Sequence, residues 1–313
     1  MSRVLIVIVA VALAAGSLAG TAMAQVAAPA LNPAALQTTA LNPAVLQWSA
    51  PSRVSLGYFK GENTVYNAAG TQVQHVNLPG TIVQGRVVGD HVSASAEQLR
   101  LKIEPDGAPG WDYRETQLAL AGQIGGAVAL GAGQDQVVQN PPPAGVDVKD
   151  TLALGGLSMR FGERVYLGIV SGKEKHQDPA VPDASRSVMR YGLGYGYHDK
   201  MDGFHAEYYH EQREALQIEV VPGVFSTQDE EKWDTGVLEF AVSGFYLGLV
   251  ERKMSVITTG QPNFDERRHA VNVGWVPDQG FSVVLHVEKR DRTLANGNTA
   301  DRPRQWITVA YLF

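Results

Sequence analysis

The stretch FHAEYYHE, residues 204–211, holds the side chains best suited to chemistry in this chain. His205, Glu207 and His210 could ligate a divalent metal, or a carboxylate could orient a histidine base toward an activated water. The spacing argues against both. On an extended strand alternate side chains share a face, so His205 and Glu207 lie together while His210 points away. Three ligands then never converge. No lipase, protease or deacylase motif occurs elsewhere, and the chain reads as a non-enzyme with no catalytic residue, no metal and no cofactor.

The other chemistry-bearing residues are charges that recur at alternate positions. Glu97, Arg160, Arg190 and Glu211 form one such set, with Glu239, Arg252, His286, Glu288 and Arg290 continuing it toward the C-terminus. Arg190 or Arg252 could hold an acid head group in a planar fork. The bland alternative is a set of salt bridges and hydrated groups inside a barrel, where polar side chains belong. Lipid-facing charges cost about 2–4 kcal/mol at mid-membrane. Either assignment depends on which strand face turns inward, and a one-residue slip reverses it.

The two ends of the chain say what those faces are. Arg3, an apolar run from Val4 to Gly16 and the small-x-small triplet Ala22-Met23-Ala24 follow the grammar of a cleaved secretory signal peptide over 1–24. Its apolar core is short for a bilayer span. Removing Arg3 from 26 basic residues leaves 25 against 32 acidic, a net of −7, and no basic cluster suggests nucleic acid. The chain has no cysteine, which removes disulfides and thiol-metal sites from consideration. At the far end, RPRQWITVAYLF places Ile307, Val309, Tyr311 and Phe313 on one face of a strand. That face suits lipid, and the ending resembles the C-terminal signal by which bacterial outer-membrane barrels engage their assembly machinery. The expected location is the bacterial outer membrane, with membrane lipid and lipopolysaccharide as neighbours.

Turns and gaps then count the strands. Short turns fall at 88–90, 122–126, 162–163, 199–203, 243–244 and 277–280. Longer polar gaps fall between them, at 61–79, 104–111, 138–148, 175–185, 214–231, 257–266 and 291–302. PPPAG (141–145) is a stiff loop and QDEEKWD (228–234) a solvated one. Short and long connections alternate, which predicts an all-β, transmembrane antiparallel barrel over 51–313 with about 14 strands, or 12 if the first pair fails. Both ends of the barrel then lie on the periplasmic side. In RYGLGYGYH (190–198) Tyr191, Leu193, Tyr195 and Tyr197 suit lipid, and Gly192, Gly194 and Gly196 face the lumen. Three inward glycines relieve crowding in a curved sheet or leave a hollow for a plug or a substrate. With a tight turn at 199–202, Arg190 lies opposite Glu211, a pair expected to contribute roughly 0.2–1 kcal/mol.

Residues 30–50, ALNPAALQTTALNPAVLQWSA, say nearly the same thing twice at a spacing of ten. Asn-Pro starts a firm turn, because the residue before proline avoids the α region and the Asn side chain bonds nearby backbone. The stretch LNPAVLQWSAPSRVSLGYFKGENTVYN (41–67) resembles the N-terminal hatch and first strand of the FadL/TodX outer-membrane transporters. Asn42, Pro43 and Ala44 match the Asn-Pro-Ala triplet that closes that family's hatch, and Asn32 and Pro33 would form an added wedge. The resemblance implies a fourteen-stranded barrel, a hatch-like segment over 25–50, and passive uptake of small hydrophobic or amphipathic molecules. Glu97, Arg190, Glu207, Glu211, Glu239 and Arg252 would then line the substrate path with the three glycines. The outer gaps are too short for that family's helical outer loops. The inner charges keep two alternatives open: a general diffusion porin for hydrophilic solutes, and a structural barrel without transport.

Overall fold

The computed structural model describes Asn42, Ala44, Trp48 and residues 52–313, apart from 143–145, 163, 180, 200, 222–223, 229, 258–263 and 294–297. The expected leader over 1–24 and the hatch residues Asn32, Pro33 and Pro43 lie outside the described residues.

Every long alternating stretch of the sequence is a strand. The first nine are β1 (Arg53–Tyr66), β2 (Gln72–Val88), β3 (Val92–Pro105), β4 (Trp111–Ile124), β5 (Val128–Gln139), β6 (Val148–Phe161), β7 (Val165–Asp178), β8 (Val181–Asp199) and β9 (Asp202–Arg213). A short hairpin follows, β10 (Leu216–Val221) and β11 (Val224–Gln228), paired only with itself. The wall resumes with β12 (Glu230–Val242), β13 (Phe245–Ile257), β14 (Phe264–Trp275) and β15 (Gly280–Thr293). It ends with β16 (Thr299–Asp301) and β17 (Arg304–Leu312). Neighbours pair antiparallel in chain order, and β17 returns to β1 with Arg53 opposite Leu312. Since β16 is the outer end of the closing strand, the barrel has fourteen strands and no open edge.

The sequence places the turns well and the outer gaps less well. Ser243 and Gly244 both take positive φ, 50° and 84°, the mirror-image turn that matches strand twist in a two-residue hairpin. The expected gap at 61–79 is instead mostly strand, with β1 and β2 joined by a turn at 67–71. There both faces carry polar residues, so alternation loses its hydrophobic signal although pairing continues. The gap at 214–231 likewise contains the β10–β11 hairpin.

Burial separates the two faces. Outward residues near the short turns are apolar and exposed, among them Leu56, Leu120, Leu193, Phe245, Leu285 and Val309. Aromatic pairs ring this end, with Phe245 edge-on to Trp275 at 5.2 Å and Phe281 to Tyr311 at 5.1 Å. A closed barrel with an apolar outer band and an aromatic girdle is built to span a bilayer, since every strand's backbone is paired. Ile307, Val309, Tyr311 and Phe313 lie on that outer face, and the Phe313 amide donates to Ser52 O at 3.0 Å, tying the last residue to the start of the wall.

Candidate functional site

The lumen is packed with side chains, and its wall changes chemistry around the circumference. On β1–β5 it is apolar toward the outer connections and polar toward the short turns, where Arg53, Gln84, Arg86, Glu97, Glu115 and Gln117 are buried. Phe59, Leu78, Leu101, Ile103, Trp111 and Tyr113 all point inward and belong to one buried cluster that Trp306 of β17 joins. Trp306 stacks on Phe59 at 5.9 Å and on His286 at 4.7 Å, the latter rings nearly parallel at 7°. A water-filled channel has a polar interior, so an aromatic and aliphatic inner patch of this extent is unusual for one.

From β7 to β13 the wall is ionic. Glu211, wholly buried, accepts from Arg190 Nε at 3.0 Å, from Arg213 Nε at 2.6 Å and from Arg252 Nη2 at 3.5 Å. The cross-strand register is the one expected, Arg190 opposite Glu211. Glu174 and Glu231 extend the network through Arg186, whose Nε lies 2.8 Å from Glu174 and whose Nη2 lies 3.4 Å from Glu231. The guanidinium of Arg252 also sits 3.5 Å from the Trp233 ring centroid, a cation–π contact. Taking these charges from water is repaid only because each carboxylate meets several donors.

The sequence-predicted inner residues all face the lumen. Glu97 accepts from Gln84 Nε2 at 2.8 Å, and Gln84 in turn accepts from Arg53 Nη2 at 2.7 Å. Nearer the short turns, His205 Nδ1 lies 2.8 Å from Glu239 Oε2 and its Nε2 3.3 Å from Glu207 Oε2. His210 is on the outside, 2.9 Å from Asp234, so FHAEYYHE splits between the two faces as its spacing requires. Gly194 and Gly196 are buried on the lumen side and Gly192 is half-buried. Among the described residues no group of three His, Cys, Asp or Glu side chains is arranged to hold a metal ion.

A second arginine group lies on β14–β17; Glu288 and Arg290 were expected on the inner face, but Glu266, Arg268, Arg292 and Arg302 were not singled out from the sequence. Glu266 takes Arg292 Nε at 2.9 Å and Arg302 Nη1 at 3.3 Å, and Glu288 takes Arg268 Nε at 2.8 Å. The signal was present in ERRHAVN (266–272), where Glu266, Arg268 and Asn272 alternate with outward positions. Arg302, by contrast, came from an expected loop and carried no periodic signal.

The N-terminal segment meets the inner wall at β6 and β7. Asn42 and Ala44 are wholly buried. The Asn42 side chain does two things: its Oδ1 accepts from the Ala44 amide at 3.0 Å, the local turn expected of Asn-Pro, and its Nδ2 donates to Leu157 O at 3.2 Å. Six residues on, Trp48 Nε1 donates to Ser158 Oγ at 3.1 Å, and the indole packs on Tyr166 beneath the Arg160 guanidinium, 4.9 Å from the ring centroid. Arg160 is itself fixed by donating Nη2 to Gly126 O at 2.8 Å. Trp48 was not among the expected hatch residues. An indole six residues past an Asn-Pro turn is too weak a sequence signal to find it.

With this geometry in hand, known structures identify the class of fold. No family model matches the chain, and no curated protein aligns with it in sequence. Solved structures do. The toluene transporter TbuX of Ralstonia pickettii superposes with a TM-score of 0.62 over 94% of this chain and 99% of its own, at 10% identity. The monoaromatic hydrocarbon channel CymD gives 0.60 over 93% and 95%, also at 10% identity. A Pseudomonas aeruginosa FadL homologue gives 0.56 over 90% and 95%, again at 10%. The chain therefore has the fourteen-stranded barrel fold of FadL-like channels.

Proposed function

We propose that this barrel sits in the bacterial outer membrane and lets small hydrophobic or amphipathic molecules enter by diffusion, with the segment around Asn42 and Trp48 acting as a plug. The observation that carries this reading is the apolar cluster on the outer half of the β1–β5 inner wall, which runs from Leu78 and Ile103 to the Phe59–Trp306 stack. Apolar surface in a lumen costs free energy against water and gains it against an apolar solute, at about 25 cal/mol per Å². Many of the inner charges, which favoured a hydrophilic porin when read from sequence alone, are ion-paired and buried rather than left lining a water column. The hydrocarbon channels that share the fold support the same cargo class. A channel that binds and releases solute needs neither catalytic group nor cofactor, in keeping with the non-enzyme reading.

The test compares two solutes. Intact Gram-negative cells expressing the barrel are expected to take up radiolabelled toluene faster than control cells. Proteoliposomes holding the same protein are expected not to swell in arabinose. Swelling in the sugar without accelerated toluene entry would transfer the assignment to a hydrophilic porin.

A further inference from the structure

On the outward face of the barrel one row of opposed residues crosses β2 to β7: Thr81, Arg100, Arg114, the buried Val138, Lys149 and Gln177. It contains three cations and no acid. Arg100 and Arg114 are direct cross-strand partners, both exposed, and like charges placed directly opposite are destabilising. Among the described residues Arg100, Arg114 and Lys149 form no ion pair. Arg100 Nε is spent on the neutral Gln98, at 2.7 Å. A second opposed pair of cations on this surface is built differently. Lys253 faces Arg267, but Asp234 flanks it on one side and Asp291 on the other. The β3–β6 row holds no acid of its own; Asp112, two residues from Arg114 on the same face, stands opposite Lys102, so no residue within the row offsets its repulsion.

Its height on the barrel says what does. Toward the short turns, the same strands present Ala96, Leu118, Leu120, Leu130 and Ala153 outward, the apolar band. The row lies just beyond the band's edge on the side of the outer connections, where lipid head groups begin. Adjacent strands are roughly 4.8 Å apart, so Arg100 and Arg114 can grip one phosphate in a fork while Lys149, two strands on, reaches a second about 10 Å away. We propose that this row binds the phosphate groups of a phosphorylated outer-leaflet glycolipid of the lipopolysaccharide type, with its acyl chains lying over Leu118, Leu120 and Leu130. The inference rests on the outer-membrane placement proposed above and on no property of the lumen.

The experiment uses the purified full chain in detergent and synthetic lipid A carrying two, one or no phosphates. Diphosphoryl lipid A is expected to bind the wild-type barrel and to raise its melting temperature. The R100Q/R114Q/K149Q variant is expected to bind on the order of tenfold more weakly, because charge-assisted phosphate contacts at a wet surface are lost. Without lipid that variant should melt close to wild type, since the relief of repulsion is set only against one exposed hydrogen bond from Arg100 to Gln98. K253Q/R267Q should keep wild-type affinity. Three results would overturn the proposal: equal affinity of wild type and the triple variant, equal binding of the dephosphorylated lipid, or full displacement by millimolar inorganic phosphate. If the triple variant yields no folded protein, Arg114→Gln alone is measured against the same lipids. Because uptake is not part of the readout, failure of the channel assignment and failure of this site are distinguishable.

Discussion

Glu211→Gln is expected to be among the most damaging single substitutions in the barrel, destabilising it by about 3–5 kcal/mol, the range for removing one partner of a buried ion pair. The carboxylate is wholly buried and shared by Arg190, Arg213 and Arg252 from three different strands. Gln can still accept hydrogen bonds but brings no charge, so three guanidinium groups lose their common counter-ion. Arg213 keeps Glu174 at 3.3 Å, which limits the damage on that side. Arg252 keeps its stacking on Trp233, which cannot replace an anion. Urea unfolding in detergent, followed by tryptophan fluorescence, reads the change. Glu251→Gln is the control, because Glu251 sits exposed on the outside and should shift the midpoint little. Equal midpoints for the two variants would mean that the inner network is not holding the wall.

Trp48→Ala is expected to unseat the N-terminal segment without disturbing the barrel. The substitution removes a hydrogen bond to Ser158, the packing on Tyr166 and the contact with Arg160. A net hydrogen bond contributes about 1 kcal/mol and a cation–π contact about 0.5–1 kcal/mol, enough together to raise the released population roughly tenfold or more. The chain has no cysteine, so a single Cys at position 44 reports cleanly. Ala44 is wholly buried, and Ala44→Cys should react slowly with a water-soluble maleimide in the native background. With Trp48→Ala added, labelling should accelerate about tenfold at an unchanged melting temperature. Fast labelling in both backgrounds would mean that residue 44 is not shielded by its seat in the lumen.

How much of this was legible in the sequence follows from what the strand period can and cannot carry. Alternation sorts side chains onto two faces with no knowledge of the tertiary fold, so Tyr191 and Leu193 outside, Arg190 and Glu211 inside, and even their register could be read directly. The same rule split His205 from His210 and removed a metal site. What alternation cannot supply is which strands face one another across a closed lumen. The Arg190–Glu211 pair therefore read as a modest two-strand contact, although Arg252 from β13 and Arg213 make it a hub. Arg302 meets Glu266 only because β16 closes the wall beside β15, and nothing local in the sequence marks that meeting. The Asn-Pro turn at Asn42 was legible as a turn; its hydrogen bond to Leu157, 115 residues away, was not.

Single-channel conductance in a planar bilayer tests the central claim most directly, comparing the intact exported chain with one lacking residues 25–47. That deletion removes Asn42 and Ala44 from the lumen and leaves every strand of the wall in place. The intact protein is predicted to be silent or to open only rarely, and the deleted form to conduct steadily. Steady conductance from the intact barrel would contradict a plugged lumen and point to an open hydrophilic pore.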